Sequence, residues 1–357
     1  ITVEKALQQF PKSGFAPRAL EGIAWTYYET KQYVRAVEYY KKLAEDYPDD
    51  PEAEGALYKL GVISFNIRKT DEALAAFKTL QDRFPTGEYA GPAIFQTGWI
   101  HYKELRYAEA IVNFGKYLQK YPEGRYAPDS SYWLGMSYFR TKEFEKAEQQ
   151  FAKLAATHQG NELAVKARLQ QVFALFARGQ RDEGRTILST MLKEEKDGSV
   201  LQEVLFQLGV SYLESNEPDT AKVYFNRLVS EFGDSENAPE ALYRMGVYFY
   251  RAKDYTEARE HFNKLYSRYS GNRLAGEGLY WIGWSYYREG NHSMALGIFR
   301  TFIEKYPKND FVSDAMMRIA QLHTVQKDFS KSLEEYDRIA KLYKGTPVGE
   351  KAIFEMA

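Results

Sequence analysis

The chain has no cysteine. Disulfide frameworks, zinc ribbons and thiol catalysis are thereby excluded. An excess of one charge is also missing: 48 Lys and Arg stand against 49 Asp and Glu, a formal net charge of −1. Neutralising a phosphate backbone needs surplus cations, so this balance argues against a dedicated nucleic-acid binder. Long apolar runs are absent too. A stretch such as Val172 to Ala177 is six residues, far short of the ~20 that span a bilayer, so no direct membrane insertion is expected. No Gly-rich phosphate loop or G-x-S-x-G elbow occurs within the chain. The five histidines, His101, His158, His261, His292 and His323, are scattered without metal-ligand spacing. No metal, cofactor or catalytic constellation is expected, and the chain reads as a non-enzyme.

What the sequence has is a period. The small residue within strings such as "LYKLG" and "SYWLG" falls at Ala24, Gly61, Gly98, Gly135, Gly209, Gly246, Gly283 and Ala320, always 37 residues apart or twice that. The one unit that departs carries Val172. A second small column keeps the register at Ala36, Ala73, Ala110, Ala147, Gly184, Ala221, Ala258, Ala295 and Ser332. A third is bulky: Tyr40, Phe77, Phe114, Phe151, Leu188, Phe225, Phe262, Phe299 and Tyr336. Nine units recur without insertion or deletion, and such self-similarity marks a repeat architecture.

Within each unit the apolar spacing is helical. Leu57, Leu60, Gly61 and Ser64 form one stripe; Ala73, Phe77 and Leu80 form another. The polar stretch Arg68 to Asp71 separates them and places acid at the next helix N-terminus, where the dipole favours it. Aromatic-proline pairs then stop the second helix at Phe10-Pro11, Tyr47-Pro48, Phe84-Pro85, Tyr121-Pro122 and Tyr306-Pro307, because proline lacks the amide hydrogen and restricts the residue before it. The small columns predict a close helix crossing, with the bulky column filling the space beside it.

The segment "LEGIAWTYYETKQYVRAVEYYKKLAEDYP", with Leu20, Ile23, Ala24, Tyr27, Ala36, Tyr40 and Pro48 in place, resembles the tetratricopeptide repeat (TPR). The usual TPR has 34 residues. Here three more follow the proline, in stretches like "PTGEYAGPA", a wording similar to TPR proteins of the bacterial envelope that serve outer-membrane assembly or the Tol-Pal system. The resemblance implies an all-α, right-handed α-α superhelical solenoid of TPR hairpins. Residues 1–357 would form one array: nine full repeats over about 17–344, partial repeats at both ends, and an irregular fifth repeat at about 165–200 that is either drift or a hinge. The partial ends, one closing at Pro11 and one opening with Ile353 and Ala357, read as an excised segment of a longer protein.

The resemblance also implies a function, a non-catalytic scaffold that binds a protein or peptide on its concave face, with self-association left open. The expected setting is periplasmic or outer-membrane-associated, in envelope assembly, secretion or polymer export, with a cytoplasmic one as the alternative. Two other readings are a superhelical module of a larger enzyme of the cell-wall lytic type and an RNA-binding helical repeat. The first helix of each hairpin would line the concave face, and all five tryptophans fall on it. The candidate partner-binding residues are Trp281, Trp284, Tyr287, Arg251 and Arg288, followed by Trp99, Trp133 and Arg140. Such rings make interface anchors, and an acidic-aromatic or C-terminal peptide fits their cations. Two aromatic columns, one through Tyr58, Phe95, Tyr132 and Tyr280 and one through Tyr28, Tyr102, Tyr250 and Tyr287, are expected to serve mainly in packing.

Overall fold

The computed structural model describes Leu7, Gln9 and residues 13–356; the half-hairpin expected before Pro11 and the register position Ala357 lie outside them. The described residues are all-α. Nine hairpins follow one another: α1 (Ala16–Glu29) with α2 (Tyr33–Asp46), α3 (Pro51–Asn66) with α4 (Thr70–Arg83), α5 (Ala90–Lys103) with α6 (Tyr107–Lys120), and α7 (Ala127–Arg140) with α8 (Phe144–Thr157). Next come α9 (Glu162–Ala177) with α10 (Arg181–Glu194), α11 (Gly198–Glu214) with α12 (Pro218–Glu231), and α13 (Asn237–Arg251) with α14 (Tyr255–Arg268). The series ends with α15 (Arg273–Arg288) and α16 (His292–Lys305), α17 (Val312–Val325) and α18 (Phe329–Leu342), then α19 (Pro347–Met356). Hairpin starts keep the 37-residue step to within a few residues. The chain divides into two compact units, Ile1–Ile187 and Leu188–Ala357, each with its own stacked hairpins.

The crossing is as tight as the small columns require. A Cβ placed on Gly61, Gly98, Gly135, Gly209, Gly246 or Gly283 would come within 2.4–2.9 Å of the ring of Phe77, Phe114, Phe151, Phe225, Phe262 or Phe299 respectively. Those rings are fully or almost fully buried. The neighbouring first-helix ring closes the pocket from one side: Tyr58, Phe95, Tyr132, Phe206, Tyr243 and Tyr280 each lie 5.9–6.1 Å from the same phenylalanine. That column is core packing, as expected.

Repeat five solves the crossing the other way round. Val172 replaces glycine on its first helix, Leu188 replaces the ring on its second, and both are fully buried. Gly184 replaces alanine, and a Cβ there would meet the Phe176 ring at 2.5 Å. Phe176 stands in the column of Tyr28, Tyr102 and Tyr250, and in this repeat the ring of that column closes against the second helix.

Turns and links repeat as faithfully. Each hairpin turns through one residue with positive φ, at Lys31, Arg68, Leu105, Lys142, Gly179, Asn216, Lys253, Gly290 and Lys327. Gln32 N–H donates to the Tyr27 carbonyl at 2.8 Å and Lys31 N–H to that of Tyr28 at 2.9 Å, the paired bonds that close a helix C-terminus through a left-handed residue. The second helices end at Asp46, Arg83, Lys120 and Lys305, one residue before the aromatic-proline pairs. The Tyr269 and Tyr306 hydroxyls donate to the carbonyls of Gly233 and Ser270 in the preceding link, both at 2.8 Å.

The three additional link residues have a purpose that the sequence did not disclose. They set an aromatic at the start of the next first helix, where it stacks back on the preceding repeat: Tyr126 on Phe95 at 4.6 Å, Phe311 on Tyr280 at 4.7 Å and Tyr89 on Tyr58 at 4.9 Å. In the third link the Tyr117 hydroxyl also accepts from Tyr126 N–H at 3.0 Å.

Candidate functional site

The candidate residues fall into two clusters, one in each unit, and each is built on first helices. In the second unit, α15 carries Trp281 and Trp284 one helical turn apart. Trp281 leans on Tyr250 of α13, with centroids 4.8 Å apart, and its indole N–H donates to the Tyr243 hydroxyl at 3.3 Å. Burial pushes Tyr243 up to about 12, and the nearby Glu277 adds to this; burial also raises Tyr250. Both phenols therefore stay neutral and present ring faces and hydroxyls rather than charge. Trp284 packs edge-on against Tyr287 at 5.3 Å and carries the Arg318 guanidinium 4.5 Å above its ring. Arg318 also reaches Asp314 at 3.5 Å. Its i,i+4 pairing is thus half its role; the other half is a cation–π contact.

Arg288 is exposed and its Nε–H points at the Tyr255 hydroxyl, 3.5 Å away. Arg251, also exposed, lines an open cleft of about 430 Å³ with Glu240, Tyr243, Arg244, Val247 and Tyr248. Arg244 there is held by Glu240 at 2.7 Å. No carboxylate pairs with Arg251 or Arg288 among the described residues.

In the first unit Trp99 meets Trp133 edge-on at 4.6 Å, and Trp133 leans on Tyr102 at 4.8 Å. Lys103 lies 5.0 Å above the Trp99 ring. Arg140, exposed at the end of α7, lies beside the Tyr102 and Tyr107 phenols. Trp25 is the tryptophan left most open, 47% exposed, with Tyr28 stacked on it; the other four are half-buried. Each tryptophan thus has one part packed between repeats and another facing solvent.

Sequence reasoning missed Tyr107, Tyr255 and Arg318. Tyr33, Tyr107 and Tyr255 stand in one 37-residue column at the start of second helices, a signal that was present but lies outside the first-helix columns. Tyr28–Tyr33, Tyr102–Tyr107 and Tyr250–Tyr255 all pair at 5.4–5.7 Å. His101 and His323 are buried, in the 37-residue column that also holds Tyr27, Tyr138, Tyr212 and Tyr286. A second open cleft, of about 490 Å³, lies among the links of the first unit and is walled by Tyr58, Tyr89, Tyr117, Tyr121 and Tyr126. Among the described residues no three His, Asp or Glu side chains gather closely enough to hold a metal, and no helix is long and apolar enough to cross a membrane.

Comparison with known proteins agrees with the repeat fold. Models described as tetratricopeptide repeat match residues 18–50, 129–160, 206–273 and 277–309. A model described as outer membrane lipoprotein (YfiO) matches residues 54–143. No curated protein matches the chain. Among solved structures, the C-terminal part of a TPR repeat-containing protein from Cytophaga hutchinsonii is 17% identical, with a TM-score of 0.55 over 74% of this chain and 99% of its own. A tetratricopeptide repeat protein from Parabacteroides merdae is 13% identical, with a TM-score of 0.46 over 74% and 98%. PilF of Pseudomonas aeruginosa is 17% identical, with a TM-score of 0.42 over 63% and 95%.

Proposed function

The chain is a tetratricopeptide-repeat protein, and from that premise we propose that it is a protein-binding scaffold whose first-helix faces take up peptide segments of a partner. The observation that carries this reading is the pairing of half-buried tryptophan with exposed, carboxylate-free arginine at Trp281, Trp284, Tyr287, Arg251 and Arg288, repeated at Trp99, Trp133 and Arg140. A ring already held by its neighbours loses little conformational entropy on binding. A guanidinium without an internal partner gains most from an incoming carboxylate. The ligand class is a peptide that carries acidic and apolar side chains.

The proposed setting is the bacterial envelope, in assembly, secretion or polymer export on its periplasmic side. The outer membrane lipoprotein model over residues 54–143 supports it.

Site-specific photo-crosslinking in the native host tests the face. A benzophenone amino acid at 251, 288 or 140 should yield a discrete protein adduct, whereas one at 223, where Val223 stands exposed on the second helix α12, should not. Adducts from 223 alone would overturn the assignment.

A further inference from the structure

The two clusters share a set of four residues, although Trp99 and Trp284 have Val247 and Met136 as their counterparts. Tyr102, Tyr107, Trp133 and Arg140 recur as Tyr250, Tyr255, Trp281 and Arg288, each 148 residues on, four repeats later. The geometry recurs with them. The tyrosine–tryptophan pair has centroids 4.8 Å apart and planes at 57° in both copies. The tyrosine–tyrosine pair lies at 5.4 Å and 65° in one, at 5.5 Å and 62° in the other. In both, the arginine lies beside the phenols of its own tyrosine pair, Arg140 near Tyr102 and Tyr107 and Arg288 near Tyr250 and Tyr255. Lys103 and Arg251 supply a second cation at equivalent places.

Period alone does not account for this. The same four columns read Tyr28, Tyr33, Lys59 and Asn66 at the first repeat, Phe65, Thr70, Gln96 and Lys103 at the second, and Tyr287, His292, Arg318 and Val325 at the eighth. The columns vary freely elsewhere, yet the complete set of two tyrosines, tryptophan and arginine stands in each unit.

We infer that each unit holds one complete and equivalent recognition site, so that the chain binds two copies of a single acidic-aromatic peptide motif. This rests on the peptide-binding reading of the first-helix face given above. Charge complementarity fixes the ligand. Arg140, Arg288, Lys103 and Arg251 have no carboxylate partner among the described residues, whereas neighbouring cations such as Arg244 and Lys59 are paired internally. The guanidinium takes a carboxylate in a planar fork. The tyrosine and tryptophan beside it offer faces for a flat or branched apolar side chain. A peptide supplies both groups within a few residues.

The test selects dodecapeptides from a random phage library on the intact chain and titrates the best synthetic peptide calorimetrically. The expected result is acidic and aromatic enrichment with two equal sites per chain. Arg140→Glu and Arg288→Glu, both at exposed positions, should each halve the stoichiometry, and together should weaken binding more than tenfold. Trp133→Phe and Trp281→Phe should weaken one site each, as a check that does not alter charge. One site, removed by Arg288→Glu and untouched by Arg140→Glu, would overturn the duplication and leave the peptide-binding face standing. Binding indifferent to all four changes would overturn both readings. Polygalacturonate occupying both sites, with no acidic peptide selected, would overturn the peptide in favour of an acidic polysaccharide.

Discussion

Changing Gly135 to Val and Phe151 to Leu, singly and together, tests whether the helix crossing sets the period. A Cβ on Gly135 would stand 2.7 Å from Phe151 Cε1 and 2.9 Å from two further ring atoms. Carbon atoms rest at about 3.5–4.0 Å, so the ring must retreat by about 1 Å. Phe151 is fully buried and Tyr132 packs at 5.9 Å, which blocks that retreat. Overpacking of this kind costs about 1–3 kcal/mol, and the helix preference of valine over glycine returns only about 0.3 kcal/mol of it. Phe151→Leu alone leaves a void beside a glycine and should cost about 1–3 kcal/mol by the cavity effect. The double variant reproduces the residues of repeat five, where Val172 and Leu188 stand in these columns, both fully buried. Its cost should fall at least about 1 kcal/mol below the sum of the singles, the coupling expected for residues in contact. Amide hydrogen exchange of α7 and α8 is the suitable assay, since a repeat array opens locally and a global midpoint would dilute the effect. Strictly additive costs, or an Gly135→Val variant with unchanged protection, would refute the argument that the Gly–Phe contact dictates the crossing.

Three further outcomes follow from other features. Leu105 holds φ at +61° and is 70% exposed, so Leu105→Gly should stabilise by about 1 kcal/mol; Gly290→Ala, at φ +79°, should destabilise by a similar amount, both read by urea denaturation. His261 is buried against Phe249 with neither ring nitrogen hydrogen-bonded, and burial, then Lys222 and Lys264, bring it down to about 4. Its depressed value means that its contribution is intact above the unfolded-state value of about 6.5 and is lost progressively as pH falls to about 4, amounting to about 3 kcal/mol. His261→Ile should remove that acid sensitivity, and equal pH profiles for both proteins would contradict it. Tyr126→Ala removes a ring stacked on Phe95 while keeping the backbone N–H that ties the link to Tyr117, and should cost about 3 kcal/mol, seen as faster exchange in α5 to α7.

The fold was legible because its determinants are local and repeated. Glycine facing phenylalanine leaves a mark in sequence at a fixed offset, and six copies of it make the period unmistakable. In repeat five Val172, Gly184 and Leu188 read in sequence as three separate departures, and the approach of the Phe176 ring to Gly184 was not visible from the columns. The link aromatics Tyr89, Tyr126 and Phe311 were legible as extra length but not as stacking partners, since their contacts reach back some 31 residues to the previous first helix. At the candidate site, the columns put the tryptophans on first helices, where the structure has them. Tyr107 and Tyr255 escaped because their side chains belong to second helices, and a face assigned by helix type omits them.

The same rings hold repeats together and present a face to solvent, which has a consequence for any mutational reading of the site. Trp133 and Trp281 are each wedged against a tyrosine of the preceding repeat, so truncating either to alanine opens a cavity as well as removing a contact surface. A loss of binding after such a change would mix two effects, since large-to-small changes at packed aromatics cost about 3–5 kcal/mol. Arg140, Arg251 and Arg288 are exposed and free of carboxylates, and their removal leaves the stacked rings in place. If the face binds an acidic segment, charge reversal at these three must weaken binding while hydrogen-exchange protection of α7, α13 and α15 stays as it was. Loss of both together would mean that the cations, too, belong to the packing of the array.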